Sequence, residues 1–159
     1  MFSATITGTI ITRYENAFAA VPLLVSFIPM LMDTGGNCGS QSSTLIIRGL
    51  ALDEINFKDI FRVIFKEFRI ALLVGIGLAI ANGIRIFIMY KDLKMAIVIA
   101  LSLSLIVIIA KIIGCTLPLF AKKLHMDPAI MASPLITTVV DTCSIMIYFS
   151  IATRVFTLS

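Results

Sequence analysis

The chain has 159 residues, 59% of them hydrophobic and 14% charged, with a mean hydropathy of +1.06 and a net charge of +4. Soluble domains average about 45–50% apolar and about 25% charged, and 13 basic plus 9 acidic side chains cannot clothe a water-soluble fold of this size. Most of the surface must therefore meet lipid or another chain, which excludes soluble enzymes, disordered tails and secreted disulfide scaffolds.

The basic balance does not point to nucleic acid. The cations form no stripe and no aromatic platform lies among them; they collect between apolar runs, as membrane-flanking charges do. Cys38, Cys115 and Cys143 are far apart and lie in apolar stretches, so they read as buried thiols. No secretory signal pattern opens the chain.

Taken in order, the first apolar block, Met1 to Thr12, is shorter than the roughly 20 residues a spanning helix needs. It reads as a first membrane helix whose start is trimmed, followed by a polar turn at Arg13 to Asn16. The second block, Ala17 to Met32, is interrupted by Asp33-Thr-Gly-Gly-Asn-Cys-Gly-Ser-Gln41 and resumes over Thr44 to Leu52. An Asp and three glycines predict broken backbone, tolerated at membrane depth only when buried in protein or lining a wet cavity.

Asp53 to Arg69 mixes charges with Phe57, Ile60, Phe61, Ile64, Phe65 and Phe68 at helical spacing, predicting an amphipathic helix on the membrane surface. Ile70 to Tyr90 is the third span, with Gly75, Gly77 and Gly83 allowing close helix contact. Lys91, Asp92 and Lys94 mark a tight turn. Met95 to Phe120, containing Lys111 and Pro118, is the fourth span, and Lys122, Lys123 and His125 mark a loop with an exposed histidine. Asp127-Pro128, a helix-start pair, opens the last span, which runs to about Ala152.

The expectation is thus an all-α integral membrane protein of one domain, with five transmembrane helices. Basic residues favour the loops after spans two and four as cytoplasmic, with the N-terminus inside and the C-terminus outside. Thr7, Thr9, Thr12, Ser102 and Ser104 read as helix–helix hydrogen-bonders.

Asp141 is the leading functional candidate. A carboxylate inside a span costs about 2.5–3.5 kcal/mol on insertion scales and marks a functional site by default. Pro134, Thr137, Thr138, Ser144 and Tyr148 recur at helical spacing from it. Pro134 removes a backbone donor and frees a carbonyl, and Ser133 adds a hydroxyl. Such an oxygen-rich stripe suits a hard divalent cation. The competing reading is a structural ion pair with Lys111. In the second block, Asp33, Gly35, Gly36, Asn37 and Gln41 offer inward backbone and amide groups; a glycine-kinked packing interface is the alternative. Neither a P-loop nor an EF-hand pattern is present.

At these motifs the chain resembles a known family. Pro29-Met-Leu-Met-Asp-Thr-Gly-Gly-Asn-Cys-Gly-Ser-Gln41 with Thr44-Leu-Ile-Ile-Arg-Gly-Leu-Ala51, and Asp127-Pro-Ala129, Ser133-Pro-Leu135 and Asp141, are similar to the second and fifth membrane helices of the MgtE magnesium channel family. The resemblance covers essentially the whole chain. It implies a multi-pass cell-membrane homodimer with one cation pathway lined by helices two and five of both chains. Asp141 then holds hydrated Mg²⁺, with a backbone oxygen at Thr137. Ser133 stands where Asn is frequent in the family, Ser144 where Gly is frequent, and Asp33 where an uncharged residue is common. These departures leave Mn²⁺, Ca²⁺ and Co²⁺ open beside Mg²⁺. The cytosolic sensor and CBS modules usual in the family are not in this sequence.

Two other classes stay in view. A carrier coupled to Na⁺ or protons would use Asp33, Lys111 and Asp141 as a relay, although five spans do not divide into inverted repeats. A two-Asp membrane hydrolase would use Asp33 and Asp141, but no nucleophile constellation supports them.

Overall fold

The structure, a computed structural model, describes residues 5, 8, 9, 12, 22–131 and 133–156. The first span expected over Met1 to Thr12 and the turn at Arg13 to Asn16 lie outside the described residues, apart from Thr5, Gly8, Thr9 and Thr12. The Thr9 and Thr12 hydroxyls donate to Thr5 O and Gly8 O within their own helical turn, both at 2.9 Å.

Four long helices follow. A 3₁₀ turn, Pro22–Phe27, leads into α1, Ile28–Ala51. A second 3₁₀ turn, Phe57–Asp59, leads into α2, Ile60–Tyr90. Helix α3 spans Leu93–Lys123, and a short 3₁₀ turn, Pro128–Met131, precedes α4, Ser133–Phe156. Among the described residues three helical stretches are long and apolar enough to cross a membrane: Phe57–Tyr90, Leu93–Lys123 and Pro134–Phe156. Helix α1 has 24 residues, sufficient length for a span, but carries too many polar side chains to match them.

Helix α3 is the centre of the bundle and packs against α1, α2 and α4; α1 also packs along α4. One core cluster gathers Leu24, Phe27 and Leu31 with Ile99, Leu103 and Ile106 of α3 and Ile145, Tyr148 and Phe149 of α4. The outer face of α2 leaves Phe61, Phe65, Leu73, Ile76, Ile80 and Ile84 exposed. Leu101 and Leu105 do the same on α3. Exposed apolar faces of this extent, on helices long and apolar enough to cross a membrane, suit contact with lipid.

Three expectations change. First, the helix does not break at Asp33 to Gln41: α1 is continuous, and no described glycine has positive φ. The glycines serve close approach instead. A β-carbon at Gly35 would meet Ile106 and Ser144 at 2.8 Å, and one at Gly114 would overlap the Gly39 carbonyl, so α1 and α3 cross backbone on backbone. In lipid, small residues at helix crossings replace the hydrophobic drive that packs soluble helices.

Second, residues 60–69 do not form a separate surface helix but the first turns of α2. Nothing between Arg69 and Ile70 stops a helix, and Glu67 is drawn into the bundle. The turn that does form lies earlier, at Asp53 to Asn56, with Asp53 left-handed at φ 55°.

Third, Pro134 sits in the first turn of α4, where its missing N–H was already without a helical partner, so it does not kink the span. Asp127 accepts from Ala129 N at 2.9 Å, capping the 3₁₀ turn before α4.

The loops after α1 and α3 come together. Lys122, at the end of α3, donates to Leu50 O at 3.0 Å and lies 3.4 Å from Asp53 Oδ1. Lys123 stands over the Phe57 ring. The loops after α1 and α3 therefore share one face of the bundle. At the other end Lys91, at φ 53°, closes α2, and Asp92 caps α3 by accepting from Met95 N. His125 is exposed.

Candidate functional site

Helix α1 has two unlike faces. Gly35, Cys38, Gly39, Ser42, Ser43, Ile46 and Leu50 are buried against α3 and α4. Asp33, Asn37, Gln41, Thr44 and Arg48 recur every three or four residues on the opposite side, all exposed. At 1.5 Å per residue the polar stripe runs roughly 22 Å. Lipid cannot accept it, because an unsatisfied polar group in hydrocarbon costs several kcal/mol.

At one end of the stripe lies an open depression of about 200 Å³. Met32, Asp33, Gly36 and Asn37 form one wall, and Thr137 and Asp141 of α4 form the other. A second hollow, of about 470 Å³, is lined by Asn37, Ser40, Gln41, Thr44 and Leu45. A third, of about 420 Å³, begins at Leu45 and includes Arg48, Glu54, Arg62, Lys66 and Glu67. Shared lining residues join the three into one furrow along α1.

The two walls meet at Gly36. A β-carbon there would stand 3.4 Å from Thr137 Cγ2 and 3.7 Å from Asp141 Oδ1. Asp141 is half-buried and is the ninth of the 24 residues of α4, a little before its middle. Thr137 and Thr138 both donate to Pro134 O, at 3.1 and 2.8 Å. Their hydroxyl protons thus satisfy the first-turn carbonyl. Gly35 and Ser144 lie beneath this surface, between α1 and α4. The Ser144 hydroxyl donates to Val140 O at 2.7 Å. Gln41 and Pro134 are exposed, and the side chain of Ser133 lies outside the described residues. Tyr148 leaves the stripe altogether: it is buried and donates to Leu24 O at 2.9 Å.

The proposed structural partner of Asp141 is engaged elsewhere. Lys111 Nζ lies 3.2 Å from Glu67 Oε2, with both side chains buried. Ser42 bridges them, donating to Glu67 Oε2 at 2.6 Å and accepting from Lys111 Nζ at 3.1 Å. The only other ion pair among the described residues joins Lys122 and Asp53. Asp141 therefore has no cationic partner in this set, and a relay through Asp33, Lys111 and Asp141 loses its middle member. Sequence reading missed Glu67 by placing it on a surface helix.

Among the described residues no group of three His, Cys, Asp or Glu side chains could cage a metal. The depression instead offers two carboxylates, an amide and a hydroxyl on an open wall, the donor set of a weakly held, hydrated hard cation.

A family model described as MgtE, divalent cation transporter, matches residues 28–151. The chain belongs to the MgtE family. It is 40% identical over 153 residues to the magnesium transporter MgtE of Bacillus subtilis, covering 96% of this chain and 34% of that protein. It is 37% identical over 147 residues to the magnesium transporter MgtE of Thermus thermophilus, covering 92% of this chain and 32% of that protein. The Enterococcus faecalis protein of the same name is 30% identical over 152 residues, covering 96% and 34%. The chain thus spans about a third of the length of the curated relatives it matches. Membership of this family, together with three membrane-length helices, makes it a multi-pass membrane protein.

Proposed function

We propose that this MgtE-family chain is a membrane pore domain that conducts Mg²⁺ through a pathway at the axis of a homodimer. The observation that carries the reading is the polar furrow of α1 meeting Asp141 across Gly36, on a protein whose other outer faces are apolar. One chain supplies an open half-channel. A twofold partner presents the same surface, closes the furrow against lipid and doubles the carboxylates.

The ion is Mg²⁺ with its water retained. Mg²⁺ dehydrates reluctantly and is held by one or two carboxylates with several waters, which suits Asp141 and its copy better than a closed cage does. Thr137 and the first turn of α4 then hydrogen-bond the water shell. Asp33 and Asn37 flank the entry, and Gln41 and Thr44 extend the wall. Selection among Mg²⁺, Mn²⁺, Ca²⁺ and Co²⁺ falls to pathway width and not to direct ligation. Regulatory cytosolic domains, if joined to this chain, act from the face shared by the loops after α1 and α3.

The carrier reading is the outcome that the experiment discriminates against. In liposomes containing only this protein, Mg²⁺ entry should continue with no Na⁺ or pH gradient and should be blocked by cobalt hexammine, a mimic of hydrated Mg²⁺. Flux that requires either gradient would make the protein a coupled carrier. Absence of divalent flux with a folded dimer present would refute the pore itself.

A further inference from the structure

The buried cluster of Lys111, Glu67 and Ser42 is separate from the depression at Asp141, with Glu67 at the margin of the third hollow, and it brings two full charges into the bundle. Lys111 is 5% exposed, Glu67 4% and Ser42 0%. Removing two charges from water carries a large desolvation penalty, and apolar residues of similar volume are generally no worse for stability. The best-attested use of such a pair is to fix register.

The contact of α1 with α3 is a close glycine crossing, Gly39 against Gly114, and the buried polar cluster adds a directional constraint to it. Association in lipid has no hydrophobic drive to favour one azimuth. One helical turn further along both helices, three residues after Gly39 and three before Gly114, stand Ser42 and Lys111. The Ser42 hydroxyl has its proton committed to Glu67 and its lone pair to Lys111, so it fits only one orientation of α1. Ile46 and Leu50 of α1 share an apolar cluster with Val63 of α2, and Glu67 adds a polar link between the two helices. Gln41 is the residue next to Ser42, and its outward position follows from that bond.

We propose that Lys111 and Glu67, acting through Ser42, are positioning residues that lock the rotation of α1 so that Asp33, Asn37, Gln41 and Thr44 face the pathway. The functional consequence rests on the pathway reading above; the positional one does not.

Two readouts separate them. In a background with Cys38, Cys115 and Cys143 replaced by Ala, single cysteines at Gln41 and Thr44 should react with a membrane-impermeant maleimide, and cysteines at Ser43 and Ile46 should not. In Glu67→Gln the contrast should collapse. Maximal Mg²⁺ flux should fall by about tenfold, the usual lower effect of losing a supporting residue around a metal site, with the half-saturating Mg²⁺ concentration little changed. The double variant Glu67→Gln/Lys111→Met, which removes both charges but keeps hydrogen-bonding to Ser42, should restore the contrast and most of the flux. It also serves where the single variant fails to insert. An unchanged labelling contrast in Glu67→Gln, or a double variant no better than the single, would overturn the proposal. A collapsed contrast with wild-type flux would leave the lock standing and overturn the pathway reading instead.

Discussion

Replacing Asp141 by Asn changes one charge and almost no shape, so its effect can be worked from the site. The carboxylate lies half-buried at an open depression, with no cation among the described residues to neutralise it. No cationic side chain among the described residues therefore competes with an ion for this carboxylate. A hydrated Mg²⁺ has its centre about 4 Å from the carboxylate oxygen, the sum of a metal–water bond and a hydrogen bond at an angle. Two unit charges at about 4 Å attract by about 1 kcal/mol in bulk water and a dication by twice that, so about 2 kcal/mol is the floor. That corresponds to roughly 30-fold in occupancy for one carboxylate, and more where low-dielectric walls focus the field. Asp141→Asn should therefore cut Mg²⁺ entry into liposomes at least about 30-fold at subsaturating Mg²⁺. The fold of the chain should be unchanged, because α4 packs through Ile136, Val140 and Ile145 and not through the carboxylate. Asp33→Asn, on the exposed wall, should have the smaller effect. Flux from Asp141→Asn within twofold of wild type, at matched protein, would refute the assignment.

Gly36→Ala should keep the fold, since the new methyl meets Thr137 and Asp141 at ordinary contact distance, but should lower flux by narrowing the depression; Gly77→Ala, with open space around it, is the matched control in the same assay. Gly75 is not such a control, because a β-carbon there would press on the Ser104 backbone at 3.3 Å. Gly114→Ala should force α1 away from α3 and cost about 1–3 kcal/mol, as overpacking does, read as a lower melting temperature in mild detergent; an unshifted melt would mean that the crossing at Gly39 is looser than described. A cysteine at Thr138 should cross-link to its twin in membranes, whereas one at Leu101, on the lipid face, should not; the reverse would put the dimer axis on the wrong side of the bundle.

The apolar helices were legible because lipid leaves little latitude: long Leu-, Ile- and Val-rich runs bounded by charges can do little else. The association of the Asp33-to-Asn37 segment with Asp141 was legible as two motifs, and their contact across Gly36 needed coordinates. What misled was the transfer of soluble-protein rules. Glycines and an Asp read as a break, yet α1 runs through them because its backbone bonds remain satisfied and the missing β-carbons are used for packing. Glu67 was hidden by its surface-like neighbours Lys66 and Arg69. A signal was present: Val63, Glu67, Ala71, Gly75 and Ala79 recur every four residues and are all buried. A carboxylate in register with a small-residue stripe is a carboxylate facing another helix, and Lys111, alone inside an apolar span, was waiting for a counter-ion.

The same contrast explains why α1 fails the test of apolarity that α2, α3 and α4 pass. A helix that lines a pathway must be amphipathic in a membrane, with its apolar and small residues turned to the bundle and its polar residues turned to water. Its average hydropathy then falls below that of a lipid-facing span of the same length. Helix α1 meets this description residue by residue, whereas the charged residues of α2 stand toward its two ends, Arg62, Lys66, Glu67 and Arg69 in the first turns and Arg85 near the last. A single copy in a bilayer would press Asp33, Asn37, Gln41, Thr44 and Arg48 against acyl chains, and no rotation of α1 relieves this while Ser42 remains bonded to Glu67 and Lys111. On the proposed reading, the lock that aims α1 also makes the isolated chain unfavourable in lipid, so the force that would drive two copies together and the geometry that would give the ion its path have one origin.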